Sequence, residues 1–185
     1  MNPFLRIGRA AAGRLARTLP RAAITMATAT SMGFAAQIKD LSGTLPESQS
    51  SMYGERPAEW VNACVWHHSA TKGQTIRTIA QWHVEVNGWP GIGYHYAIGW
   101  DGSVYQLHPI TTWSYHAQGY NRTTIGVVLV GNFQERGLTP EMESSILKMR
   151  EHLAEEYGIT QHVLHRDLKA TLCPGDSAAL FLNSL

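Results

Sequence analysis

Only two of the 185 residues are cysteine, Cys64 and Cys173, which excludes a disulfide framework as the source of stability. Charge is also sparse: 16% of residues are Asp, Glu, Lys or Arg, and the formal net charge is +1. So neutral a chain offers no broad electrostatic field to nucleic acid, and no nucleic-acid partner is expected. No strongly apolar run reaches the roughly eighteen residues that a spanning helix needs, so none is expected. What remains is 44% hydrophobic, ordinary for a chain with a packed core. The length suits one domain with an extension, or at most two small ones.

The first stretch without acids is long. Arg6, Arg9, Arg14, Arg17 and Arg21 all precede the first acid, Asp40. At helical pitch these arginines fall within roughly 140° of one another. Phe4, Leu5, Ala11, Ala12, Leu15 and Leu19 fall opposite them. The pattern predicts a basic amphipathic helix ending at Pro20 and weakened by Gly8 and Gly13. Residues 22–38 are uncharged and rich in Thr, Ser and Ala. Three readings of this N-terminus stand side by side: a secretion signal, a helix that binds an anionic membrane surface through residues 4–19, or an inert segment. Residues 40–57, DLSGTLPESQSSMYGERP, are rich in Gly, Pro and Ser and read as a linker. The expected division is therefore an extension over 1–50 and a folded domain over 58–185.

Within that domain the signals alternate. WVNACVWHHSAT carries the Val, Trp and Cys of a buried strand that runs out into a loop. Ile76, Ile79, Ala80, His83 and Val86 recur at helical spacing. Asp101-Gly102 marks a hairpin between two strands. TIGVVLVGNF is almost wholly apolar, as a central strand covered on both faces would be. Thr139-Pro140-Glu141 opens a helix whose apolar face is Met142, Ile146, Met149, Leu153 and Tyr157, with Gly158 as its C-cap. HVLH gives a short strand, and a last helix lies near residues 178–182. Together these predict an α/β fold, a central mixed sheet flanked by helices, with the basic helical extension separate from it.

Nine histidines are many for this length. His165 and Cys173, eight residues apart, can meet at one metal ion, as neutral imidazole and thiolate. That spacing alone is unspecific, and Cys173 is equally readable as a buried thiol, half of a disulfide or a nucleophile. His67 and His68 are the candidates for a third ligand. Alternation along a strand lets only one of the two face the ion, and Cys64 points with His68. Cys64 reads as a core thiol. His83 and His95 carry no expected role at the site.

Five separated blocks then occur in order: WHHSAT, GWPGIGYHYAIGWDGSVYQ, HAQGYNRTTIGVVLVGNF, LTPEM and HRDLKATLCPGD. Together they resemble the zinc-dependent N-acetylmuramoyl-L-alanine amidases of the phage lysozyme and peptidoglycan-recognition protein type. The resemblance covers residues 60–177 and does not extend to residues 1–50. It implies one Zn2+ per chain, held by His67, His165 and Cys173. It places Tyr94 beside the reacting water, and makes Thr171 a catalytic hydrogen-bond donor. Thr171 stands where the phage branch has lysine and many recognition proteins have threonine, so it gives less electrostatic help to a developing oxyanion. His116, Tyr120 and Asn121 are implied to contact substrate, with Trp89 and Trp113 along the glycan groove. Another branch of these amidases takes an aspartate as third ligand, and Cys173 sets this chain apart from it.

The activity implied is hydrolysis of the amide between the lactyl group of N-acetylmuramic acid and L-alanine, by a zinc-activated water. Peptidoglycan is then the partner, and the periplasmic or extracellular cell wall the place of action. Two rivals stay open: a recognition module that binds muropeptide without cutting it, and an interaction protein whose zinc only stabilises the fold.

Overall fold

The computed structural model describes residues 33–185. The basic helix over residues 4–19, its membrane-surface role and most of the signal-like stretch lie outside the described residues. Among those described, no helix is long and apolar enough to cross a membrane.

Among the described residues, eight strands and four α-helices follow in order, with a 3-10 turn at Ala58–Trp60 before β3: β1 Lys39–Asp40, β2 Gly54–Glu55, β3 Ala63–His68, α1 Ile76–Glu85, β4 Tyr96–Ile98, β5 Val104–Gln106, β6 Thr112–Trp113, β7 Thr124–Leu129, α2 Pro140–Tyr157, β8 Gln161–Leu164, α3 His165–Leu168 and α4 Asp176–Leu182. Six strands form one sheet in the order β1-β5-β4-β7-β3-β8, while β2 and β6 pair separately. The β4–β5 pair is antiparallel and the other pairings of the large sheet are parallel. It is the mixed sheet that the sequence pattern predicts.

The apolar TIGVVL run is β7, between β4 and β3, with all six residues buried. A strand covered on both faces needs no polar alternation, which is why this one reads as a continuous apolar run. On one face, Ile125, Val127 and Leu129 join Cys64, Trp66, Tyr96 and Ile98 against Met142, Ile146, Met149 and Leu153 of α2. On the other, Val128 and Ala97 meet Ile79 and Ala80 of α1 with Ile92 and Leu107. The α2 ends are those expected: Thr139 Oγ1 accepts from Met142 N at 3.1 Å, and Gly158 closes the helix at φ 69°. A left-handed C-cap there favours glycine. Between β4 and β5 the loop turns at Gly102, φ 77°, and Asp101 Oδ1 accepts from Ser103 N.

Residues 40–57, expected as a linker, are laid on the domain instead. Asp40 pairs with Gln106 at the β5 edge. Leu41 and Leu45 pack on the α1-side cluster, and Tyr53 Oη donates to Gly91 O at 2.8 Å. Arg56 is 3% exposed. Just ahead of this segment, Phe34 joins the α2-side core. Single large anchors spaced among Ser and Gly hold the segment down, and composition averages do not register them.

Met149, fully buried in the α2 interface, measures how far this core holds the sheet. Met149→Ala should cost about 2–5 kcal/mol, read as a lowered denaturant midpoint with an unchanged slope.

Candidate metal centre

Parallel strands β3 and β8 end side by side, and loops leaving the carboxyl ends of such strands commonly frame a crevice. His67 is the penultimate residue of β3, and His165 follows β8 directly. Alternation sends Cys64 and Trp66 to the α2 side and His67 to the opposite face, as expected from the strand pattern. His68 turns back, its Nδ1 accepting from Phe133 N at 3.2 Å, a structural role. Cys173 arrives on the loop between α3 and α4. Arg166 fastens that loop: its backbone N–H donates to Cys173 O at 3.0 Å, and its guanidinium pairs with Asp176 Oδ1 at 2.9 Å.

His67, His165 and Cys173 thereby converge, with one ligand-type atom of each lying within 4.8 Å of the others. The His67 and His165 ring centroids are 4.5 Å apart. His67 Nδ1 faces Cys173 Sγ at 3.7 Å, and Sγ also accepts from His68 N at 3.3 Å. Burial, then the neighbouring His116, holds His67 well below the usual histidine range. His165 is also lowered, by burial and then Lys169. Burial pushes the Cys173 thiol up to about 11. Two neutral imidazoles and a sulfur that turn lone pairs toward one point repel one another, unless a cation lies between them. A divalent ion would draw the proton off the thiol. The donor set therefore fits a metal, and two nitrogens with one sulfur suit zinc.

Tyrosine, histidine and threonine side chains surround the cluster. Tyr94 packs its ring 5.2 Å from His67 and 5.5 Å from His83. Burial, then Cys173, raises its hydroxyl above the usual tyrosine range, so it stays protonated at neutral pH. His116 is buried against the other side of His67, with Nδ1 facing His67 Nε2 at 3.2 Å and Nε2 facing Thr124 O at 3.2 Å. Thr171 is exposed, and its Oγ1 accepts from Cys173 N at 3.2 Å, bracing the ligand loop.

A groove of about 640 Å3 opens beside the cluster, lined by Trp89, Tyr115, His116, Gln118, Asn121, His165 and Lys169. Size does not single it out, since a hollow of about 650 Å3 lies by Phe34, Lys39 and Glu141. Chemistry does: among the described residues, His67, His165 and Cys173 are the group placed to hold a metal ion. His116, Asn121 and Trp89, expected along substrate, line this groove. Asn121 Oδ1 is already engaged, accepting from His116 N at 3.0 Å and Ala117 N at 2.6 Å. Tyr120 is exposed and is not part of the groove wall; Trp113 instead flanks the Arg122 guanidinium opposite Trp60.

Sequence reasoning missed three residues here. Lys169 is the one charged side chain of the groove wall, and its Nζ donates to Gln118 Oε1 at 3.3 Å across the opening. Gly126 of β7 leaves room for the His116 ring: a Cβ there would lie 2.7 Å from His116 Cγ. Arg56 sits beneath the loop that carries His116. A glycine in an apolar strand and an arginine before proline carry no signal of this kind. Lys169 stood inside a quoted motif but not at a ligand position.

Comparison with known proteins agrees with this geometry. The family described as Amidase_2, N-acetylmuramoyl-L-alanine amidase, matches residues 56–176. The endolysin of Enterobacteria phage T3 is 34% identical over 127 residues, 64% of this chain and 83% of the endolysin. Peptidoglycan-recognition protein SC1a of Drosophila melanogaster is 28% identical over 141 residues, 66% of this chain and 76% of that protein. Among solved structures, the N-acetylmuramoyl-L-alanine amidase LysC from Clostridium intestinale superposes with a TM-score of 0.67 at 28% identity, over 80% of this chain and 95% of that one. Peptidoglycan recognition protein SD of Drosophila shares the fold at a TM-score of 0.71 and 19% identity, over 80% and 95% of the two chains. The chain belongs to the N-acetylmuramoyl-L-alanine amidase family.

Proposed function

We propose that the protein is a zinc-dependent peptidoglycan hydrolase that cuts the amide between N-acetylmuramic acid and the L-alanine of the stem peptide. The observation that carries this reading is the convergence of His67, His165 and Cys173 beside an open groove. Three protein donors with room for a fourth ligand are the catalytic arrangement, whereas a structural zinc is closed by four. When bound, zinc supplies Lewis acidity, polarising a carbonyl and lowering the pKa of water from about 15.7 to about 7. The printed names of the relatives, endolysin and amidase on one side and recognition protein on the other, frame the choice between cutting and binding. Such relatives support action at the cell wall, outside the cytoplasm.

The chain's own residues divide the remaining work. Tyr94 Oη, protonated at neutral pH, can donate a hydrogen bond to the carbonyl oxygen as charge develops there, or hand a proton to the departing amine. The Thr171 hydroxyl offers a second donor from the ligand loop, weaker than an ammonium would be. Trp89 and Tyr115 present aromatic surface to a sugar or peptide backbone, and Lys169 supplies a positive charge. Neutral His116 holds His67 rather than moving protons. The recognition-module reading is favoured less, because all three donor positions and Tyr94 are filled. In the third reading, a zinc that only stabilises the fold, the open groove has no purpose.

Release of dye from labelled, purified peptidoglycan should be seen with zinc-replete protein and should vanish with a chelator. Mass analysis of the products should show free stem peptides beginning with L-alanine. Stem peptides that all remain joined to muramic acid after treatment with zinc-loaded protein would exclude the hydrolase. Cys173→Ser should remove activity and lower bound zinc well below one per chain. Cys64→Ser should keep its zinc, because that thiol is fully buried on the opposite face of β3; metal loss there would mean a wrong ligand set.

A further inference from the structure

Arg56 is a permanent charge placed inside the protein, 3% exposed. Burying a guanidinium is costly unless its five N–H donors find partners, and a carboxylate is the usual one. Among the described residues no carboxylate pairs with it. Its donors go to backbone carbonyls instead. Nε and Nη2 donate to Ile110 O at 3.1 and 3.0 Å. Nη1 donates to Thr124 O at 2.7 Å and to Asn121 O. Nη2 also lies 3.0 Å from His95 Nε2.

Two of those carbonyls lead to the metal centre. Thr124 O accepts from Arg56 and faces His116 Nε2 at 3.2 Å. A carbonyl cannot donate, so the His116 proton must sit on Nε2, which leaves the Nδ1 lone pair toward His67 Nε2 at 3.2 Å. His67 then donates from Nε2 and keeps its own lone pair on Nδ1, the atom facing Cys173 Sγ. The second route runs through Asn121. Arg56 holds its carbonyl, and its side-chain Oδ1 accepts from the His116 and Ala117 backbone N–H groups. Ring and backbone of His116 are thus both referred to one guanidinium.

We infer that Arg56 is a positioning residue for the metal centre: through the Thr124 and Asn121 carbonyls it fixes His116 in its Nε2–H form, and so presents the His67 Nδ1 lone pair to the ion. Outer partners of a ligating histidine set its tautomer and orientation, and losing one costs roughly 10- to 100-fold in metal affinity. This rests on the ligand set proposed above but not on turnover.

The test uses the full chain and Zn2+ alone. In metal-free, unmodified protein, side-chain nitrogen NMR should find His67 and His116 both carrying the proton on Nε2. A His67 proton on Nδ1 would overturn the inference without any variant. Arg56→Lys keeps the charge but loses the forked donors. It should weaken Zn2+ binding roughly 10- to 100-fold by chelator competition, and the His116 signals should show mixed tautomers. A folded Arg56→Lys protein with unchanged Zn2+ affinity and a single tautomer would refute the role, since a purely structural arginine would shift only the unfolding midpoint. If that variant does not fold, Gly126→Ala decides, because it pushes the root of the His116 ring with Arg56 in place. Weakened Zn2+ binding supports the relay and unchanged binding overturns it. Should peptidoglycan remain uncut while affinity and tautomers respond as stated, the hydrolase reading falls and this one stands.

Discussion

The parallel pairing of β3 with β7 is the constraint on which the site depends. Six consecutive residue pairs, from Ala63 with Thr124 to His68 with Leu129, lock the two buried strands in register. Because side chains alternate, that register decides which of two adjacent histidines faces the groove. A slip by one residue would send His67 into the α2 interface and bring His68 out. It would also carry the fully buried Cys64 out of the core. Apolar packing on both faces therefore specifies the candidate metal centre before any ligand chemistry enters.

Electrostatics at the centre follow from burial. Neutral imidazoles and an un-ionised thiol face one another beside the groove, and among the described residues no carboxylate acts on them. A bound cation would be the dominant local charge, and the donors are arranged around a place for one. Arg56, the one buried lysine or arginine among the described residues, is partnered by carbonyl oxygens rather than by an acid, and so ties three backbone segments to one side chain. Rigid outer support of this kind is what holds first ligands to a narrow geometry.

Much of the fold was legible because local rules and tertiary packing agree. The apolar run of β7, the Thr139 cap with Pro140, and Gly158 at the end of α2 each have a local physical cause. The proposed metal ligands were legible differently. Spacing left Cys173 with four roles, and the ordered resemblance of five blocks reduced them to one. Three things escaped. Residues 40–57 looked like a linker, because a few anchors among Ser and Gly do the packing. Arg56 drew no reading of its own inside that stretch, since a buried arginine without an acid is uncommon. Asn121, expected to contact substrate, does line the groove, but the sequence did not show that its side chain also holds the loop under His116. The first two depend on partners far away in sequence, which periodicity cannot see, and the third on a local loop closure between Asn121 and the His116 and Ala117 backbone.

The segment ahead of β3 has one more effect. Phe34 enters the core on the α2 side of the sheet, and β1 then covers the β5 edge. His67 and its groove lie on the other side. The two faces of one sheet thus carry separate tasks among the described residues: the segment ahead of β3 is anchored at Phe34 on one, and the candidate centre opens on the other.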